Sequence, residues 1–421
     1  MKITVINQFF LPDVSPTARL AGDLAAHRTR CGDQVTVIAA RANYADSDVL
    51  CNKETVARVK VLRGWTPRFR QRNVLTKCIE AACFYVHTAC HVCMLPPQDV
   101  IVSLTTPPWI GWIALLHKLR HRSARFLLWN MDCYPEVMER SEILSSRGLA
   151  SRLFRAVTRL LLHQCDYVIC LDQAMRQLID SSYFDRKGKD RLPVISNWPP
   201  PPKHPTAQEA TLSLPNGQWL SKKVTVVLYS GNMGRGHAFG TVLCAAQRLL
   251  GESFHFIFCG GGYYAPHLGR AIEQQRLSNC QRIDYLPEKT YQKLLNRADC
   301  VLVTLRDEML GVMSPSKVYA ALAAEKPIAY VGPADSNVDE VIQQFGSGRR
   351  FDHHDACGLA DFLRKLRRHA ATRRRLSNGA RSAYKMTYNA DYGLSQFDQL
   401  LEPKGNFFPA PYRSESTQRA A

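Results

Sequence analysis

The sequence is first defined by what it lacks. No apolar run reaches the roughly 18 residues that a membrane-spanning helix needs, and the nearest approach, residues 101–116, is broken by Pro107-Pro108. Nothing at the start reads as an export leader. Met1-Lys2-Ile3-Thr4-Val5-Ile6 reads directly as a strand, so the expectation is a cytoplasmic protein whose 14 cysteines are free thiols. Cys90-His91-Val92-Cys93 has no partner pair at zinc-finger distance and sits in a helical pattern, which argues against a structural zinc module there. Acids are scarce. There are 36 Asp and Glu against 55 Lys and Arg, for a formal net charge of +19. Such an excess calls for an anionic partner, but no helix-turn-helix, RNP or zinc signature accompanies it, so nucleic acid is not expected.

What is present is alternation. The 421 residues are too many for one ordinary core and suit two domains. Short apolar runs, predicted as strands, fall at residues 3–7, 34–39, 59–62, 100–104, 126–129 and 167–171. Helical patterns lie between them, notably at 17–31 and 151–164. A further apolar stretch at 74–95 reads as a core helix or as a surface that touches lipid. Residues 197–223 hold four consecutive prolines, Pro199 to Pro202, and read as a stiff linker. The alternation then restarts, with strands at 224–229, 254–259, 282–285, 300–304 and 328–331. Strands alternating with helices imply parallel sheets covered on both faces. The expected organisation is an α/β protein of two Rossmann-like, doubly wound domains, 1–196 and 224–385. A C-terminal helix at 386–401 and a disordered tail at 402–421 follow. Ligands of such sheets bind at the carboxyl ends of the strands, here in a cleft between facing domains.

Three loops of the second half carry chemistry. Ser230-Gly231-Asn232-Met233-Gly234-Arg235-Gly236-His237 follows a strand and precedes a helix. Its glycines admit close approach of a ligand, and Arg235 can grip a diphosphate bidentately; a tight turn with a surface arginine is the alternative. Gly260-Gly261-Gly262 ends the next strand, either as a passage for ligand or as a simple turn. Gly311-Val312-Met313-Ser314-Pro315-Ser316-Lys317 leads into a helix that Ser316 can cap. A lysine in that first turn opposes the helix dipole, which points to an anion nearby. In the first half, Pro16 and Thr17 lie just after a strand-to-helix loop. Asp132, after the strand at 126–129, is placed either to accept a hydroxyl proton or to cap a turn.

Together these segments resemble the family 4 glycosyltransferases of the GT-B fold, particularly the bacterial members that build cell-surface polysaccharides. The matching pieces are residues 3–12, Gly32 to Ile38, Asp132-Cys133-Tyr134-Pro135-Glu136, Tyr229 to Arg235, Ser314 to Tyr319 and Leu322 to Pro327. The resemblance implies a second domain that binds a nucleoside-diphosphate sugar. In it, Gly231, Asn232, Gly234, Arg235 and Gly261 would line the diphosphate. Leu286 and Pro287 would lie where the base docks. Ser314, Ser316 and Lys317 would contact phosphate, ribose or sugar. It implies acceptor binding by the first domain near Pro16 and Thr17, catalytic roles for Asp132, Arg235 and Lys317, retention at the anomeric carbon, and neither metal nor cofactor beyond the donor. The chain departs from the pattern. Relatives carry two glutamates where Val312 and Ala320 stand, a lysine where Gly240 stands, a glycine where Glu325 stands, and a glycine pair where Ser15 to Ala18 stand.

The expected activity is transfer of a hexose, UDP-linked, to a lipid-linked or glycan acceptor. The basic clusters at 58–72 and 364–375 would hold the protein to an acidic membrane surface, unless they are merely solvated faces. A sugar-nucleotide epimerase of the same fold and a non-catalytic member are the alternatives.

Overall fold

The structure is a computed structural model that describes residues 1–13, 15–41, 53–56, 58–67, 74–201 and 223–402. Arg68, Arg70 and Arg72, most of the expected linker, and nearly all of the expected tail lie outside the described residues. The chain divides into two units. The first spans Met1–Ser196 and takes back the chain from Leu394; the second spans Asn197–Gly393.

The first unit is built on a seven-stranded sheet ordered β3-β4-β2-β1-β5-β6-β7. Its strands are β1 (Lys2–Ile6), β2 (Gln34–Ala40), β3 (Lys53–Val56), β4 (Val59–Gly64), β5 (Val100–Leu104), β6 (Arg125–Trp129) and β7 (Tyr167–Ile169). All pairings are parallel except β3 with β4. Parallel strands need a crossover, and helices α1 (Pro16–Arg30), α2 (Val74–Met94), α3 (Gly111–Arg120), α4 (Glu136–Arg140), α5 (Leu149–Gln164) and α6 (Gln173–Tyr183) lie between the strands. Burial follows the prediction for a sheet covered on both faces: β5 is buried at every residue. Ser15 caps α1 by accepting from the Ala18 N–H (3.3 Å), and Pro16 takes the first helical position, where its missing N–H would be an orphan.

The second unit holds a six-stranded, wholly parallel sheet ordered β10-β9-β8-β11-β12-β13. Its strands are β8 (Thr225–Ser230), β9 (Phe254–Cys259), β10 (Cys280–Ile283), β11 (Cys300–Thr304), β12 (Ile328–Val331) and β13 (Gly348–Phe351). The helices are α7 (Gly240–Arg248), α8 (Ala265–Gln274), α9 (Glu288–Arg297), α10 (Lys317–Ala323), α11 (Asn337–Phe345), α12 (Ala356–Arg368) and α13 (Ala370–Met386). Phe239, Phe254, Phe256, Phe258, Leu359 and Leu363 join one buried cluster that holds α7 and α12 to the sheet. The last helix, α14 (Ala390–Leu401), ends on the first unit. There Phe397 is fully buried with its ring 4.5 Å from that of Trp129, and Arg125 donates to the Leu400 carbonyl (3.0 Å).

Several expectations are corrected. The strand predicted at 282–285 runs instead over Cys280–Ile283, and Tyr285 is 60% exposed beyond its end. Asn197 and Trp198, read as linker, are buried, with Trp198 packed so closely on Gly393 that a methyl group there would meet the indole at 2.3 Å. The basic cluster at 364–375 is partly internal. Arg364 pairs with Glu252 and Asp361, Arg367 donates to the Lys223 and Ser253 carbonyls, and Arg373 donates to the Leu366 carbonyl.

Glu325 explains a departure seen in the sequence. It follows α10 at φ 56°, in the left-handed region. Its N–H bonds the Leu322 carbonyl and that of Lys326 bonds Ala321, the pattern of a Schellman C-cap. The position is one that glycine fills without strain, while a residue with Cβ costs about 1 kcal/mol there.

Candidate functional site

Topology marks a ligand crevice within each sheet. In the second unit the chain leaves β8 toward β9 on one side and returns to β11 on the other, so the order reverses between β8 and β11. Loops at the carboxyl ends of such neighbouring strands diverge and leave a crevice. They are the loop 231–239 after β8 and the loop 305–316 after β11, and they carry most of the residues singled out in the sequence.

The glycines are required by contact. Gly231, Gly260 and Gly262 have φ of 115°, 133° and 120°. A methyl group on Gly260 would lie 2.2 Å from the Gly231 carbonyl oxygen, and one on Gly262 would lie 2.1 Å from Asn232 Oδ1. The β8 and β9 loops are thus held backbone to backbone. Gly231 N–H donates to the Cys259 carbonyl (2.8 Å) and Met233 N–H to that of Gly261 (2.6 Å). Tyr229 reaches up from β8, donating its hydroxyl to the Asn232 carbonyl (2.9 Å). The glycine loop does not abut the next helix: α7 starts only at Gly240, with Phe239 at its N-cap.

Lys317 crosses into this loop. Its Nζ lies 3.3 Å from the Asn232 carbonyl, 3.1 Å from His237 Nε2 and 5.0 Å from the centre of the Tyr229 ring. His237 is buried, and its Nδ1 donates to the Thr304 carbonyl at the end of β11 (2.7 Å). That bond fixes the tautomer, leaving Nε2 as the acceptor for the lysine. Burial and the neighbouring lysine lower the His237 pKa to about 3, so the ring is neutral. Burial of the Lys317 ammonium lowers its pKa to about 7. Among the described contacts of that nitrogen, none is to a carboxylate. Arg235 adds a second cation, its guanidinium carbon 3.8 Å from the centre of the Tyr263 ring. Stacking on an aromatic face fixes the plane of the guanidinium without neutralising it.

Ser314 and Ser316 differ. The Ser314 hydroxyl oxygen is buried without a hydrogen-bond partner among the described residues, a condition that usually marks a ligand or solvent partner. Ser316 stands at the N-cap of α10, but its backbone is helical and its side chain makes no capping bond, contrary to expectation. Leu286 is half-buried, and Pro287 is exposed at the N-cap of α9. The Tyr285 ring lies 3.1 Å from where a Gly261 methyl group would be.

In the first unit the order reverses between β1 and β5. The loops after these strands touch, Gln8 N–H donating to the Thr106 carbonyl (3.1 Å). The next strand adds its own loop, as Met131 N–H donates to Thr105 Oγ1 (3.0 Å). Asp132 follows on this carboxyl rim. It does not cap α4, whose N-cap is Pro135, and burial raises its pKa to about 6. Pro16 and Thr17 open α1 at the same end of the sheet. Glu136, by contrast, is buried and accepts the Tyr183 hydroxyl (2.5 Å), an arrangement internal to this unit.

Comparison with known proteins shows the family. Residues 17–198 match the model of the glycosyl transferase 4-like domain, and residues 216–383 match that of glycosyl transferases group 1. The chain belongs to the family 4 glycosyltransferases. This glycosyltransferase is 26% identical over 313 residues to the probable glycosyltransferase WbjE of Pseudomonas aeruginosa, covering 72% of this chain and 74% of that one. It is 23% identical to the putative colanic acid biosynthesis glycosyl transferase WcaI of Escherichia coli K12, covering 82% and 86%. Its structure resembles that of Anabaena HepE in complex with UDP and glucose, with a TM-score of 0.67 at 13% identity, covering 95% and 99%. The fold is GT-B, with two parallel-sheet α/β units. The role of His237 in placing Lys317 escaped the sequence reading. Its one signal was a histidine inside the glycine loop.

Proposed function

We propose that this glycosyltransferase moves a hexose from a UDP-linked donor to a surface-glycan precursor carried on lipid, with retention at the anomeric carbon. The observation that carries this reading is the crevice of the second unit. There Lys317 and Arg235, two cations set by His237 and Tyr263, stand beside backbone stripped of Cβ atoms. A diphosphate is the group that such a site suits, by bidentate bonds from Arg235 and a point charge from Lys317. As the sugar–phosphate bond breaks, negative charge grows on the leaving diphosphate. Arg235, and the Lys317 ammonium that the bound diphosphate favours, then stabilise the transition state more than the ground state. These residues supply the charge that a metal would otherwise bring, so the donor is the only small molecule the reaction calls for. Ser314 and Ser316 would meet ribose or sugar hydroxyls in place of the missing glutamate pair, and Leu286 and Pro287 the base. On the first unit Asp132, with a pKa near neutrality, is suited to take the acceptor hydroxyl proton, with Pro16 and Thr17 on the acceptor side. The UDP and glucose held by HepE support the choice of donor.

Incubating the protein with UDP-hexoses and extracted bacterial lipid tests the reaction. Label moving into the lipid phase is expected, and it should fall by about 10²-fold or more with Asp132→Asn. An epimer of the donor formed without acceptor would overturn transfer in favour of the epimerase.

We place the enzyme at the inner face of the cytoplasmic membrane, through α5. Leu149, Leu153 and Leu160 of this helix are 83%, 62% and 58% exposed. At 3.6 residues per turn they fall within about 40° of one another. The exposed Arg152, Arg155 and Arg159 flank the stripe. Apolar residues beside arginines match an interfacial helix on an anionic bilayer. Leu153→Glu with Leu160→Glu should abolish flotation with anionic vesicles while leaving nucleotide binding unchanged. Equal flotation with neutral vesicles would contradict the placement.

A further inference from the structure

On the first unit, away from its loop rim, three unlike metal-ligating side chains converge. His27 and Cys31 stand four residues apart on α1 and at its end, which puts them on one face, and Asp398 comes from α14. One ligand atom from each lies within 4.8 Å of the other two. His27 Nε2 is 2.8 Å from Asp398 Oδ2, and Cys31 Sγ is 3.8 Å from His27 Nε2. Around a tetrahedral zinc ion, bonds of about 2.0–2.3 Å put ligand atoms about 3.3–3.8 Å apart. Changes of about 0.5–1 Å in these separations therefore suffice. The neighbouring charges are already balanced. Arg28 donates to Asp398 Oδ1 (2.6 Å) and to Asp33, and Asp33 also accepts from the N-terminal amine (2.6 Å). Arg28 thus occupies one oxygen of Asp398 and leaves the other toward the histidine and cysteine, as a carboxylate shared between a metal and its outer partner would be.

We propose that His27 Nε2, Cys31 Sγ and Asp398 Oδ2 bind a thiophilic divalent ion, zinc by ligand type, which clips α14 onto α1. Thiolate, imidazole and carboxylate together select zinc over magnesium or calcium. On binding, metal–nitrogen, metal–sulfur and metal–oxygen bonds form. The Cys31 thiol proton leaves to solvent. His27 binds through the Nε2 lone pair, so the single proton of its neutral ring shifts from Nε2, where it faces Asp398, to Nδ1. Solvent completes the coordination.

Cobalt(II) reports the site directly, through the thiolate-to-metal charge-transfer band of a cysteine ligand. The reduced, full-length protein should develop this band on titration with cobalt, and zinc should bleach it. Cys31→Ser should remove it and weaken zinc binding by more than about tenfold. Asp398→Asn and His27→Gln should weaken zinc binding in the same way. Cys90→Ser with Cys93→Ser, at the other exposed cysteine pair, should leave band and affinity unchanged. Zinc should also raise the thermal midpoint of the wild type but not of Cys31→Ser. A band that survives Cys31→Ser, or that is lost with Cys90→Ser and Cys93→Ser, would overturn the proposal. So would the absence of a band in the wild type.

Discussion

Lys317→Met lowers kcat/KM for the sugar nucleotide by about 10²–10³-fold, the loss typical of removing one preorganised charge-stabilising group. The side chain sits over the glycine loop with His237 Nε2 and the Asn232 carbonyl as its contacts, so it already points where phosphate oxygens would lie. The same substitution changes the proton balance of binding. With its pKa near 7, the free lysine is largely neutral above neutrality. A bound diphosphate favours the ammonium and raises that pKa. The stabilisation it gives the complex is therefore fully present below about pH 7 and is lost as pH rises through the higher pKa of the complex. Calorimetry in buffers of differing ionisation enthalpy should show uptake approaching one proton per nucleotide at about pH 8, and little at about pH 6. Lys317→Met should abolish that uptake. Lys317→Arg should restore part of the affinity without it. Uptake that persists in Lys317→Met would assign the proton elsewhere and remove the lysine from the diphosphate.

Gly260→Ala has the largest expected effect on the second unit itself. The residue needs a φ of 133°, and its new methyl group would meet the Gly231 carbonyl oxygen at 2.2 Å. Neither side can yield easily. Gly260 N–H is bonded to the Ile283 carbonyl and Gly231 N–H to that of Cys259, so relief requires the β8 and β9 loops to separate. A loss of at least about 2 kcal/mol follows, or about 4–8 °C in the midpoint of a unit of this size. Nucleotide binding should fall with it, because Asn232 and Met233 move with the loop. Gly240→Ala is the control. Nothing lies within 4 Å of its new methyl group, and it opens α7, so the midpoint should hold or rise. Equal losses from both substitutions would mean that the Gly260 contact is not what holds the loops.

The legible parts of the fold were the ones where burial leaves a one-dimensional trace. Residues 100–104, 254–259, 300–304 and 328–331 are apolar but for single residues such as Ser103 and His255, and each is a strand with the bounds expected of it. The pattern failed where an edge strand carries charge. Gly348–Phe351 reads Gly-Arg-Arg-Phe and was missed, yet Arg350 is held by Asp352 and Asp339. It failed again at Gly111–Arg120, a helix hidden behind Pro107-Pro108. The glycine loops could be read because close backbone contact demands glycine. The partnership of Lys317 with His237 could not, because it joins residues 80 positions apart.

Donor binding tests the central claim most directly. In a thermal-shift panel of UDP-, GDP-, ADP- and dTDP-sugars, one class, UDP, should raise the midpoint. At about 100 times its dissociation constant the stabilisation is about 2.7 kcal/mol, and Arg235→Ala and Lys317→Met should each remove most of it. A shift with no nucleotide sugar, or one that both variants retain in full, would contradict a donor site at the β8–β11 crevice.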